Sequence, residues 1–178
     1  RGTHVSVKVH GEEEGTHERE HEHDHHHAHH HSDMHEIAHI IEALPVSERV
    51  RADIAKVYTR IADAESQVHG VPVSEIHFHE VGAVDSVVDV IALAVCFDSL
   101  HVEKVFVPFL CEGTGTVRCQ HGILPVPVPA VANIVQEYSV PLKIIGERGE
   151  FVTPTGAAFI AAVATDFALP KNFVLKKI

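Results

Sequence analysis

This sequence has no stripe of lysine and arginine: 14 such residues stand against 25 Asp and Glu, a formal charge of −11 with histidine counted neutral. A partner bound through nucleic-acid phosphates is therefore not expected. No apolar run reaches membrane-spanning length and no signal peptide is recognisable, so no membrane partner is expected either. The cysteines are Cys96, Cys111 and Cys119, an odd number that does not make a disulfide framework. The expected setting is a reducing cytoplasm. A phosphate loop of the form G-x-x-x-x-G-K-[ST] is absent, as are internal repeats and a regular βαβ alternation.

What is present is an ordinary hydrophobic share of 45%, enough for a real core, and 18 histidines. Because histidine titrates at about pH 6.5, mild acid would cancel much of the negative charge. Three segments follow from the pattern. Residues 1–10 read as a short strand-like piece, with Val5, Val7 and Val9 alternating. Residues 11–31 hold almost nothing apolar and read as a disordered loop, since they cannot offset their ordering entropy. Residues 32–178 read as an α+β domain, a small mixed sheet covered by helices.

Within that domain Asp33 can cap a helix over 34–44, ended by Pro45. Ser47 can cap a second, with Val50, Ile54, Val57, Tyr58, Ile61 and Val68 at helical spacing and Gly70 as its stop. This helical hairpin is expected to cover the sheet. Residues 84–100 read as a helix apolar nearly all round and hence buried, with Cys96 as core packing. Strands are expected over 102–110, 115–120 and 142–145. Pro129 and Pro154 suit the first turns of two further helices, the last running through Phe167.

Several groups carry possible chemistry. His17 to His31 contains nine His, among them His25, His26, His27, His29, His30 and His31, mixed with Glu18, Glu20, Glu22 and Asp24. Imidazole suits nickel, copper and zinc, and an irregular internal tract reads as a metal collector rather than an expression tag. His35-Glu36-Ile37-Ala38-His39 matches H-E-x-x-H, which on a helix could hold zinc with Glu36 as general base. A His-rich segment makes that pattern by chance, however, and no third ligand stands out beyond Asp53, Asp63 or Glu65. The stretch HFHEVGAVDSVVDV is harder to dismiss. It sets His77, His79, Glu80, Asp85 and Asp89 among Phe78 and five valines, where ionisable groups are costly unless paired or metal-bound. His77 and His79 face one side of an extended segment; Asp85 and Asp89 share a helix face. A helix cap and two satisfied core histidines are the plainer reading. His121 follows Cys119 by two and could share a metal with it, or be a turn residue beside a buried thiol. Glu150 and Thr153-Pro154-Thr155-Gly156 open a helix and could cradle an anion, or simply cap it.

Taken together, HFHEVGAVDSVVD (77–89), GTGTVRCQHGILPVPVP (113–129) and EFVTPTGAA (150–158) resemble the nickel insertion protein of the lactate racemase maturation system, over most of residues 32–178. The resemblance implies a cytoplasmic nickel chelatase, a lyase, that inserts Ni(II) into pyridinium-3,5-bisthiocarboxylic acid mononucleotide to make the nickel pincer cofactor. It also implies CTP hydrolysis with Mn(II) or Mg(II). The Asp- and Gly-rich opening segment of that family and its ferredoxin-like C-terminal domain are not in this chain, which resembles the central part.

On residue chemistry, His77 and His79 are expected as transient nickel ligands, with His121 joining them from a nearby loop. Glu80, Asp85 and Asp89 are expected to orient the imidazoles or hold a hard cation. Thr153, Thr155, Gly156 and Glu150 are expected around the substrate phosphate. The tract would raise the local nickel concentration. Two rival readings are a nickel storage or delivery protein acting through the tract alone, and a metalloprotease built on HEIAH. The oligomeric state is open, a homo-oligomer included.

Overall fold

A computed structural model describes residues 6–9, 12–13, 32–78, 81–119 and 121–176. The collector tract, His25 to His31 within it, and His79 and Glu80 lie outside these residues. Strand β1 (Lys8–Val9) pairs antiparallel with β2 (Glu12–Glu13), so the expected loop begins inside a small hairpin. Strand β3 (Ser32–Asp33) leads directly into helix α1 (Met34–Ala43), where the Asp33 carboxylate accepts the Glu36 N–H at 2.8 Å as expected of a cap.

Helix α2 (Glu48–His69) starts at the Ser47 cap and ends at Gly70, whose φ of 68° is left-handed and suits glycine. Its side chains Ile54, Val57, Tyr58, Ile61 and Ala62 are wholly buried, each large one stabilising by roughly 1.5–3 kcal/mol relative to exposure. Val68, one residue from the end, is exposed. A 3-10 turn (Val73–Glu75) leads to strand β4 (His77–Phe78), which pairs with β3 as Ser32↔Phe78 and Asp33↔His77. Helix α3 (Val84–Ser99) has the expected bounds but is not buried all round. Only Val87, Val90 and Ala94 are buried, while Val84, Leu93, Val95 and Cys96 are exposed. One stripe packs on neighbouring helices; among the described residues nothing covers the opposite face.

The expected strand at 102–110 shifts to β5 (Leu110–Thr114). Residues 105–106 turn instead to the chain after the last helix. The Val105 N–H donates to Thr165 Oγ1 at 2.9 Å, and Phe106 bridges Asp166. Pro108 has no N–H with which to carry a ladder onward. Strands β6 (Thr116–Cys119) and β7 (Gly122–Pro125) form an antiparallel hairpin with His121 in its turn. Helix α4 (Pro129–Glu137) begins at proline as expected, and β8 (Leu142–Arg148) runs parallel to β5. Helix α5 (Pro154–Val163) is shorter than expected because Thr165 and Asp166 serve the bridge to 105–106.

The α+β class holds, with its strands in two-stranded pairs rather than one mixed sheet. The helical hairpin also differs from expectation, since the principal partners of α2 are α5, α4 and α3. Ala62 on α2 and Ala157 and Ala158 on α5 are wholly buried; such small side chains let two helices approach closely. The core thus lies around α2, and the strand pairs sit at its margins.

Candidate functional site

The C-terminal end of α2, strand β4, the β6–β7 hairpin and the starts of α3, α4 and α5 surround a cavity of about 360 Å³. That volume is within the range of small-molecule sites, about 300–1,000 Å³. Its lining includes His77 from β4, Asp89 from α3, and Cys119 and His121 from the hairpin. Glu65 and His69 join from α2. Glu150, Thr153 and Thr155 come from the entry to α5, and Val128 and Pro129 from the start of α4.

The local sequence explains how the 77–90 stretch reaches this wall. Phe78, Val81, Val87 and Val90 are buried, whereas His77, Asp85 and Asp89 are exposed. Alternation in the two-residue strand puts Phe78 into the core and His77 away from it. Phe78 meets the Tyr58 ring edge-on at 5.9 Å, and the Tyr58 hydroxyl donates to the Val81 carbonyl at 3.3 Å, so α2 holds the turn from both sides. Burial pushes the Tyr58 hydroxyl well above its usual range, and the negative charges of Asp85 and Asp89 add to that. Asp85 does not line the cavity. Nor is it the cap of α3: Ala83 holds that position without a side-chain bond, and Asp85 Oδ1 accepts the Ser86 N–H at 2.7 Å.

At the α5 entry, Thr153 Oγ1 accepts the Gly156 N–H at 3.2 Å and lies 3.1 Å from Thr155 Oγ1. The capping reading of Thr153 is therefore realised while both hydroxyls still border the cavity. Gly156 itself is not in the wall. At α4 the cap residue is Val128, which supplies no side-chain acceptor to the first turn, and uncapped helix starts favour anions.

Of the wall residues, His69 and Ser86 were not singled out by sequence reasoning, and Glu65 was weighed only as a third ligand for HEIAH. The signal for pairing Glu65 with His69 is their i, i+4 spacing in the last turns of α2; Nε2 of His69 lies 3.4 Å from Glu65 Oε2. The His69 and His121 rings stand 5.3 Å apart, inclined by 42°. A further buried carboxylate, Glu112, supports the site from behind. Its Oε1 accepts the N–H groups of Gly113 at 2.7 Å and Phe151 at 2.8 Å, tying β5 to the loop that carries Glu150. Gly113 is required there, since a Cβ would strike the Gly149 carbonyl oxygen. By contrast, His35 and His39 are exposed on α1, and the Glu36 N–H is engaged by Asp33. Among the described residues no group of three His, Cys, Asp or Glu side chains is arranged to hold a metal ion, so HEIAH lacks the third ligand of a metalloprotease. None of the three cysteines is in a disulfide. No described helix is long and apolar enough to cross a membrane.

An α+β frame whose cavity lining includes imidazole, thiol and carboxylate is suited to a protein that handles borderline divalent metals. The chain belongs to the nickel insertion protein family, whose model matches residues 1–178. It is 51% identical over 142 residues to the pyridinium-3,5-bisthiocarboxylic acid mononucleotide nickel insertion protein of Alkaliphilus metalliredigens, covering 80% of this chain and 34% of that protein. It is 40% identical over 141 residues to the protein of the same name from Clostridium acetobutylicum, covering 79% and 33%. The Akkermansia muciniphila protein of that name is 43% identical over 134 residues, covering 75% and 32%. The chain thus spans about a third of the length of the curated relatives it matches. No solved structure matches it.

Proposed function

We propose that this chain supplies the chamber in which Ni(II), as substrate, is inserted into pyridinium-3,5-bisthiocarboxylic acid mononucleotide. The observation that carries this reading is the single cavity that gathers His69, His77, Cys119 and His121 beside the hydroxyls of Thr153 and Thr155 and the uncapped start of α4. Family membership supports it, as do the names of the relatives. Nitrogen donors take up nickel and release it to better donors. The two sulfurs of the mononucleotide bind nickel more tightly than imidazole does, so the metal moves toward the substrate.

In this proposal His77, His79 and His121 are transient ligands, and Glu80, Asp85 and Asp89 orient them or supply charge. Thr153, Thr155 and the helix start at Gly156 take the phosphate, with Glu150 at the rim. The His17–His31 tract collects nickel. Ser32, the residue after it, is paired with Phe78 next to His77, so the collector is tethered at the chamber wall and its effective concentration there is high. The reaction type is that of a nickel chelatase, a lyase, working in the cytoplasm, as a homo-oligomer if copies associate. CTP and a Mn(II) or Mg(II) ion belong to the family reading. No carboxylate set among the described residues fits a hard cation, and no step is routed through them.

The test is direct. The full chain is incubated with Ni(II) and the mononucleotide, with and without CTP and Mn(II), and the nickel adduct is followed by mass spectrometry. Formation of the adduct supports insertion by this chain; its absence under both conditions counts against it. Removing residues 11–31 separates insertion from storage. Insertion predicts activity that persists but needs more nickel, whereas storage through the tract predicts that all function leaves with it.

A further inference from the structure

We propose that His69 and His121 form a two-imidazole docking position for nickel at the chamber wall, with Glu65 as the positioning residue for His69. The proposal deepens the insertion reading and rests on it for the identity of the incoming ligand. His69 is the last residue of α2, held there by the Gly70 stop. His121 lies in the turn between β6 and β7, immediately before Gly122, whose φ is 97°. Only the tertiary fold brings them together.

Their rings are close enough for one ion to be held by both. When two imidazoles each bind one metal at about 2.1 Å, their ring centroids stand about 4.5 Å apart for the right angle of a square-planar nickel site and about 5.3 Å apart for a tetrahedral angle. Here the centroids are 5.3 Å apart. Rings that merely pack favour offset-stacked or edge-to-face arrangements, and an inclination of 42° is neither. Glu65 supplies the outer partner that metal-bound histidines usually have. With its Oε2 at 3.4 Å from His69 Nε2, the proton is favoured on Nε2 and the Nδ1 lone pair is left for the metal. The His69 side chain is 36% exposed and Glu65 18%, so the imidazole is open to an incoming ion while its carboxylate is partly withdrawn from water.

Two protein donors are also the number a hand-over position needs. Among the described residues no third donor joins them in a three-residue set, so this pair by itself leaves coordination positions for the two sulfurs of the substrate. A closed site of four protein ligands would retain the metal, whereas an open one exchanges ligands.

The experiment must see this pair past the nine histidines of the tract. Diethyl pyrocarbonate modifies unliganded imidazoles, and peptide mapping reads each histidine separately in the intact full chain. With Ni(II) alone, His69 and His121 should become protected together, each modified at least tenfold more slowly. In His121→Ala, protection of His69 should need at least tenfold more nickel. Glu65→Gln should weaken it about tenfold, the lower end of the usual effect of losing an outer-shell partner. Equal modification of His69 with and without nickel overturns the proposal, as does unchanged protection of His69 in His121→Ala. The insertion assay is read apart from this one. Protection without adduct keeps the pair and removes the insertion reading; adduct without protection does the reverse.

Discussion

Two histidine pairs in this molecule look alike on a list of contacts and are different in kind. His35 and His39 sit one turn apart on α1, with ring centroids 4.5 Å apart and planes at 82°. Any helix with this spacing brings them together. They are exposed, and the ring geometry is ordinary edge-to-face packing. His69 and His121 come from a helix end and a hairpin turn and meet across the chamber wall, with a carboxylate behind one of them. The first pair spells a known motif and has, among the described residues, no third donor. The second spells nothing and stands where five elements converge. Proximity that helical spacing enforces carries little information about function, whereas proximity that requires the whole fold carries more.

The comparison can be broken most severely through α2. Ile61→Ala removes a wholly buried side chain two turns before His69 and should cost about 2–5 kcal/mol, measured as the urea midpoint. Nickel protection of His69 should then vanish at a lower urea concentration than in the parent chain; coincident loss in the two proteins would mean the pair does not depend on the core. Next comes Glu112→Ala. Orphaning the N–H groups of Gly113 and Phe151 should cost about 1–3 kcal/mol, and it should raise the mononucleotide concentration needed for insertion, because the loop bearing Glu150 is released. An unchanged requirement would separate that loop from the substrate.

Tyr58→Phe is a smaller change, about 0.5–1.5 kcal/mol for the hydrogen bond to Val81, with a distinctive pH signature. The folded protein holds the Tyr58 proton above the usual value of 10.0, so the unfolded chain loses it first. Stability is whole below pH 10.0 and declines as pH rises beyond it. The phenylalanine variant should decline less steeply in thermal melts across that alkaline range; parallel slopes would show that Tyr58 contributes nothing to it. The mildest test concerns α1. The Glu36 N–H holds the Asp33 carboxyl below its usual 3.8, so this cap is in place above pH 3.8 and fades as pH falls further. Asp33→Ala should fray α1 by hydrogen exchange without altering nickel protection of His69. A joint change would tie the two pairs together.

Much of the architecture was legible in local chemistry. The caps at Asp33 and Ser47, the stop at Gly70, and the prolines opening α4 and α5 act within one turn of themselves, and each lies where its spacing indicates. The strands were less legible. A parallel pair such as β5–β8 depends on residues far apart in sequence, and β5 begins at Leu110 because Val105 and Phe106 are taken by Thr165 and Asp166. Helix α3 misled for a related reason. Its sequence is apolar nearly all round, but burial requires a neighbour on every side, and only the stripe of Val87, Val90 and Ala94 has one. In the chamber, His77, Asp89, His121, Thr153 and Thr155 came from motifs, while His69 did not, and Glu65 was weighed only as a ligand for HEIAH; their i, i+4 spacing is common to many helices.

By itself the sequence determined the helices, most of their ends, the α+β class and the family, because caps, stops and apolar periodicity are short-range and the family's three motifs are contiguous. Only the tertiary structure decided which of the many histidines face one another. A side chain's partner across a cavity is set by how five elements pack around α2, and packing is a property of the buried surfaces together, which no single segment contains.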